Sequence, residues 1–456
     1  MKAALRSHWA RSLAVLLLIT VLPLATAACG GADDPGGTDN PPPTGTAEAG
    51  DTLLAMSDLS RLAASAPQSD VAAASTSMQL FGADLYGILA ERAGGGNVVF
   101  SPASIVTALA MTHAGAAGTT AEEMAGTLHF SLEGDALHQA FNSLDAALES
   151  RSWESKNAEG DDEGVLLRTA NSLWAQQDLA FEQSFLDSLA ANYGAGVRLV
   201  DYKTAAEAAR QAINAWVAGE TNDKIPELIA QGVLDALTRL VLVNAVYLDA
   251  TWANQFDPEM TADGQFMTLA GDSVTASMMS QSESFPYADG DGWQAVELPY
   301  LHDELAMLLI VPDSGRFTEV ESGLSTGLVA DAAAQLEYGS QVNLTMPKFE
   351  FRTQAGLNEA LTALGMTSAF DPGTADFSGM TTQEKLFISD VIHEAYIDVD
   401  EEGTEAAAAT AVVMELTAAM PGEIVQLTID RPFIFAIRDR ETGALLFLGR
   451  VTDPTA

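Results

Sequence analysis

Residues Asp398 to Met414 read DVDEEGTEAAAATAVVM. An acidic run meets a glycine, and small residues follow, with alanine at Ala406, Ala407, Ala408 and Ala409. The first half resembles the start of an EF-hand loop, with Asp398, Asp400, Glu402 and Gly403 in step. Such a loop closes with a bidentate glutamate at its twelfth position. Here that position is Ala409, which has no oxygen ligand to offer, so no metal is expected. The second half is rich in alanine, the best helix former. Thr404, Thr410, Val412 and Val413 weaken a helix, and Ile397 and Val399 alternate like a strand. The segment therefore leaves a strand, and its destination has to be read from the rest of the chain.

The chain has 456 residues, 48% of them apolar, and a net charge of −42. That charge argues against nucleic acid, heparin-like polyanions and anionic membrane surfaces as partners. The single cysteine excludes an internal disulfide and any cysteine-based metal cluster. Lys2, Arg6 and Arg11 precede the apolar run Leu13 to Ala25, and ATAAC then ends at Cys29. This is the pattern of a signal peptide over residues 1–28, too short for a stable membrane span. It resembles a bacterial lipoprotein signal, with Cys29 lipidated. Thr26 stands where a leucine is usual, and ordinary cleavage after Ala27 is the competing reading. Either way an exported protein is expected, secreted or held at the cell envelope through a lipid on Cys29. Residues 29–75 are rich in Gly, Pro and Asp at their start and read as a flexible tether. A folded domain is expected over residues 76–456.

Within it, Met78 to Ala93 carries apolar residues at helical spacing, and Ser101-Pro102 opens a second helix. Leu240 to Leu248, LVLVNAVYL, is apolar almost throughout and predicts a strand buried on both faces. ELAMLLIVP and QVNLTMPKFEF read as further strands. LTIDRPFIFAIRD and GALLFLGRVTDP read as a closing hairpin. Helices early and strands late predict an α+β fold. None of the histidines, His8, His113, His129, His138, His302 and His393, lies in HExxH, and no G-x-S-x-G, Walker or dinucleotide motif is present. An enzyme is not expected, nor a cofactor.

These residues carry a resemblance. NVVFSPASIVTALAMTHAGAAGTTAEEM, INAWVAGETNDKIPEL, LVLVNAVYLDATWANQFDP, MPKFEF, LNEALTALGMTSAF, ADFSGM and LTIDRPFIFAI follow one another as they do in the serpins. One departure is Asp249-Ala250, where the family usually has Lys-Gly. The resemblance implies a mainly antiparallel large central sheet with smaller sheets, about eight to nine helices, an exposed reactive loop and a monomer. It also implies a suicide-substrate inhibitor that forms a covalent complex with a serine protease. After acylation the front half of the loop would enter the large sheet as a new strand.

Gly403, Thr404, Glu405, Ala406, Ala407, Ala408 and Ala409 match the loop hinge. Gly403 would supply backbone freedom there. Successive side chains of a strand point to opposite faces. Thr404, Ala406, Ala408, Thr410, Val412 and Met414 form one uncharged set, suited to the inner face. Glu405 and Glu415 fall on the other set, expected to face water. Family spacing sets the expected scissile bond at Thr417-Ala418, with Leu416-Thr417 and Met414 as the nearest alternatives, and no Arg or Lys occurs from Gly403 to Asp430. An elastase-like or subtilisin-like target is therefore expected rather than a trypsin-like one. Ser101, Ser104, Asn244 and His393 match a sheet-opening cluster, with Trp252 where insertion starts. The alternative is a non-inhibitory binding or surface protein on the same scaffold. Members of that kind tend to carry bulky or charged hinge residues, whereas Glu405 is the one charge in this hinge.

Overall fold

The computed structural model describes residues 52–156, 162–404 and 424–456. The leader, Cys29, the hinge residues Glu405 to Ala409 and the expected scissile pair Thr417 and Ala418 lie outside the described residues.

In chain order the first half holds β1 (Leu53–Ala55), α1 (Gln68–Arg92), β2 (Val98–Phe100), α2 (Pro102–His113), α3 (Gly118–Thr127), α4 (Gly134–Glu149), β3 (Trp153–Lys156), β4 (Asp162–Gln176), α5 (Gln183–Tyr193), β5 (Val197–Val200), α6 (Tyr202–Glu220) and β6 (Leu240–Thr251). The second half holds β7 (Ala262–Met267), β8 (Ser273–Gly290), β9 (Trp293–Pro299), β10 (Leu305–Pro312), α7 (Phe317–Ser322), α8 (Leu328–Ala334), β11 (Glu337–Pro347), β12 (Phe349–Gly356), α9 (Asn358–Ala363), β13 (Asp390–Val399), β14 (Gly403–Thr404), β15 (Val425–Thr428), β16 (Phe433–Asp439) and β17 (Leu445–Val451). The α+β reading holds. Among the described residues one sheet has eight strands, in the order β1-β5-β4-β6-β14-β13-β12 with β3 on β4. The other has nine, β15-β11-β8-β9-β10-β16-β17-β2 with β7 on β8.

The apolar run in β6 explains its central place. Leu240, Leu242, Val246 and Leu248 enter the main core, while Val241, Val243 and Ala245 pack under α6 against Ile213 and Val217. Covering both faces removes the need for polar alternation. The expected strand QVNLTMPKFEF divides in two. Proline has no N–H to give a ladder, and β11 ends at Pro347. The Lys348 N–H still bonds Ser277 on β8 at 2.9 Å, and β12 then pairs with β13 in the other sheet.

The tether expected over residues 29–75 is corrected at its C-terminal end. Leu53–Ala55 pairs antiparallel with Val197 to Leu199 and extends the eight-stranded sheet. The Leu62 N–H bonds the Ala191 carbonyl at 2.8 Å, and Ser57 donates to Asp187 at 2.5 Å. Arg61 donates to Asn142, Asp145 and Glu149, each at 2.7 Å. α1 begins at Gln68, after Pro67. Composition misleads here because this segment is held by backbone pairing and one arginine, not by a buried apolar stripe.

Arg61→Ala should therefore loosen the segment from α4. Partly exposed ion pairs of this kind are each worth up to about 1 kcal/mol. Amides of residues 53–62 should exchange faster with solvent deuterium while those of β6 do not change. Unaltered protection at residues 53–62 would show that Arg61 does not hold the segment.

Candidate functional site

β13 leaves the sheet at Val399, turns through Asp400 to Glu402, and returns as β14. Each acidic residue of this turn has a different task. The Asp400 carboxylate accepts from the N–H groups of Glu402 and Gly403, at 2.9 and 3.3 Å. The Glu401 carboxylate takes Lys348 at 2.6 Å and the Thr261 hydroxyl at 2.7 Å. Burial disfavours its charge, but those two donors prevail and hold the Glu401 carboxyl below its ordinary pKa. The backbone carbonyls of Glu401 and Glu402 accept from Phe256 and Trp252, both at 2.9 Å.

Two aromatic side chains hold the returning strand. Trp252 and Tyr300 stack with centroids 4.5 Å apart, and the Trp252 indole donates to the Asp400 carbonyl at 3.0 Å. The buried Tyr300 hydroxyl hydrogen-bonds Thr404 Oγ1 at 2.6 Å. Thr404 is 2% exposed, so the first residue of the uncharged set already points into the core. Gly403 does not take a left-handed φ. A Cβ there would strike the Ala250 carbonyl oxygen on β6, so the close approach of the two strands requires glycine. Tyr300, Lys348 and Thr261 were missed in the sequence. Nothing in their local patterns points at residues so far along the chain.

β14 separates β6 from β13 at the hinge. Gly403 and Thr404 pair with Thr251 and Ala250, and Thr404 also pairs with Val399. Lower down no strand intervenes, and Asp390–Ala395 pairs directly with Val241–Val246. The polar cluster lies in this closed part. The neutral His393 ring is held from both sides: Nε2 accepts from the Ser101 N–H at 3.1 Å, and Nδ1–H donates to Asn244 Oδ1. Asn244 Nδ2 donates to Ser104 Oγ at 2.5 Å and to Asn171 Oδ1. Ser104 Oγ donates to Asn171 at 2.7 Å, and Ser101 Oγ caps α2 by accepting from the Ser104 N–H. Ser101, Ser104, Asn244 and His393 thus come together as expected. Asn171 completes the set and was missed; its signal is a lone amide in an inward position of β4, opposite Asn244. Trp252 does not join this cluster. It stands at the hinge, beyond the end of β6.

The outer face also differs from expectation. Over Val241 to Ala245 it is covered by α6 and by Ile225, Leu228 and Ile229 after it, not open to water. Small side chains are therefore needed on both faces of any strand that enters here.

Two outcomes follow. Tyr300→Phe strands the Thr404 hydroxyl in the core, at a cost of about 1–3 kcal/mol. The urea midpoint should fall, and adding Thr404→Val should recover most of the loss; additive losses would show that the pair is not coupled. Burial lowers the His393 pKa to about 3, below the ordinary histidine value. The unfolded chain then binds more protons between those values, so this contribution is complete above the ordinary pKa and is lost as pH falls toward the folded one. A His393→Gln variant should show a flatter fall in denaturation midpoint across that acid window. A fall as steep as in the wild type would remove His393 from the account.

Comparison with known proteins adds breadth to this geometry. Residues 76–454 match the family described as serpin (serine protease inhibitor). An uncharacterized serpin-like protein of Thermococcus kodakarensis is 38% identical over 443 residues, covering 96% of this chain and 98% of that protein. Leukocyte elastase inhibitor of Homo sapiens is 36% identical over 383 residues, covering 82% of this chain and 97% of that protein. The crystal structure of a highly specific serpin of the insect Tenebrio molitor has a TM-score of 0.72 at 28% identity, covering 83% of this chain and 98% of that one. With the family matched over residues 76–454, the chain belongs to the serpins, which are protease inhibitors rather than enzymes.

Proposed function

We propose that this serpin is a suicide-substrate inhibitor of serine proteases that traps the acyl-enzyme by inserting its loop between β6 and β13. The observation that carries this reading is the register of β14. Thr404 is paired on both sides, with Ala250 and with Val399. Continued in that register, Thr410 comes opposite Asn244 on one side and His393 on the other. Its hydroxyl would take up the hydrogen bonds that these two side chains now exchange. Ala406, Ala408, Val412 and Met414 would follow Thr404 into the core without burying a charge.

The target is an elastase-like or subtilisin-like protease, cut at Thr417-Ala418. The absence of Arg and Lys from Gly403 to Asp430 supports this, as does the name of the human relative. Export through the leader, with Cys29 lipidated, would put the inhibitor where it meets such proteases.

The domain should be mixed with elastase-like and subtilisin-like proteases and run on a denaturing gel. A covalent band that survives SDS is expected, with the released C-terminal peptide beginning at Ala418 by mass spectrometry. Cleavage with no such band for every protease tried would sink the inhibitor reading and leave a non-inhibitory serpin. Thr404→Arg would force a charge against Tyr300 and Trp252, at a cost of several kcal/mol on the order of a broken buried pair. It should convert the inhibitor to a substrate, with complex yield down at least about tenfold. An undiminished yield would show that a charge at this already buried position does not hinder insertion of the residues that follow it.

A further inference from the structure

α6 ends at Glu220, and Thr221 to Ala230 leaves it as a strap across the outer face of β6 and β13. Ile225, Leu228 and Ile229 share one apolar core with Val241, Val243 and Ala245 of β6 and with Ile392 of β13. Val243 and Ile392 are direct partners across the slot, so the strap rests on both of its lips. It is also tied on both sides. On the α6 side the buried Asn214 amide grips Ile229 twice. Its Oδ1 accepts from the Ile229 N–H and its Nδ2 donates to the Ile229 carbonyl, both at 2.9 Å. Arg210 donates to the same carbonyl at 2.7 Å. On the far side the exposed Gln354 of β12 donates through Nε2 to the Leu228 carbonyl at 2.6 Å. The Lys224 ammonium lies 5.4 Å from the ring centroid of Tyr396 on β13. Adjacent residues, Leu228 and Ile229, are thus bound to opposite sides of the slot.

A strand that enters between β6 and β13 moves β13 and β12 away from β6 by one strand spacing, about 4.8 Å. A hydrogen bond does not survive a stretch to about 3.6 Å. One side of the strap must therefore let go. Breaking the Asn214 side would strand the N–H and carbonyl of Ile229, a residue 1% exposed, inside the apolar core. Breaking the Gln354 side frees an exposed side-chain amide that water can satisfy. The two sides are unequal, and the weaker one is on β12.

We infer that the strap stays on α6 when the slot opens and that Gln354 is its release point, a positioning residue that sets how fast a strand can enter. This rests on the insertion reading above. Removing one such hydrogen bond corresponds to about two- to tenfold in rate. Rate decides the outcome at this step, because insertion competes with hydrolysis of the acyl-enzyme.

Gln354→Met keeps the side-chain length and loses the donor, whereas Gln354→Lys keeps a donor. Both variants of the full chain should be mixed with a subtilisin-like protease beside the wild type. Insertion is timed by stopped-flow energy transfer between a dye on the protease and a dye on the inhibitor surface, and loop attack by the rate of acylation. Gln354→Met should insert about two- to tenfold faster with acylation unaltered. Gln354→Lys should stay close to the wild type. In nicked wild-type protein the Ile229 amide should keep its protection from deuterium exchange. Equal insertion rates in Gln354→Met and the wild type, equal acceleration in both variants, or an Ile229 amide that exchanges freely after nicking overturns this inference and leaves insertion standing. Cleavage without a trapped protease in all three proteins overturns the insertion reading, and this inference with it.

Discussion

The structure depends on one pair of strands, β6 and β13, which are both joined and parted. Their backbone groups are bonded to each other along Asp390–Ala395 and divided by β14 at Gly403 and Thr404. Buried backbone groups must always have partners. The lower pairing can therefore open only if another strand supplies replacement bonds as it advances. The cluster of His393, Asn244, Asn171, Ser104 and Ser101 sits at the closed part and ties three strands to the first turn of α2. Polar groups so deep are tolerated because each has its partner, and the same condition makes the closed state specific.

Charge is used sparingly against a strongly acidic background. With 21 Lys and Arg against 63 Asp and Glu, each cation near the hinge matters. Lys348 answers Glu401, and Lys224 lies over the ring of Tyr396. In the turn itself the side chain of Asp400 organises backbone N–H groups, whereas Glu402 is held by its carbonyl. The acidic run at Asp398 to Glu402 is therefore several local solutions side by side, not one site.

The fold was legible wherever side-chain pattern reports burial. LVLVNAVYL gave a doubly covered strand, and Ser101-Pro102 gave the capped start of α2. The segment from Leu53 to Pro67 was not legible, because it is held by ladder bonds and by Arg61 rather than by apolar periodicity. The site was read in part. Ser101, Ser104, Asn244 and His393 could be named from motifs, but Tyr300 and Lys348 come from distant strands and meet the hinge only in three dimensions.

By itself the sequence determined the chemistry of the hinge segment: uncharged residues at alternate positions, small residues except at Glu405, and a glycine at Gly403. These are properties of single residues and their spacing, which a strand's two-residue period converts into faces. Only the tertiary structure decided what those faces meet. It made Gly403 a matter of close approach to Ala250, set Thr404 on Tyr300, and covered the outer face with α6. Register decides such contacts, and register is a relation between strands that no single strand contains.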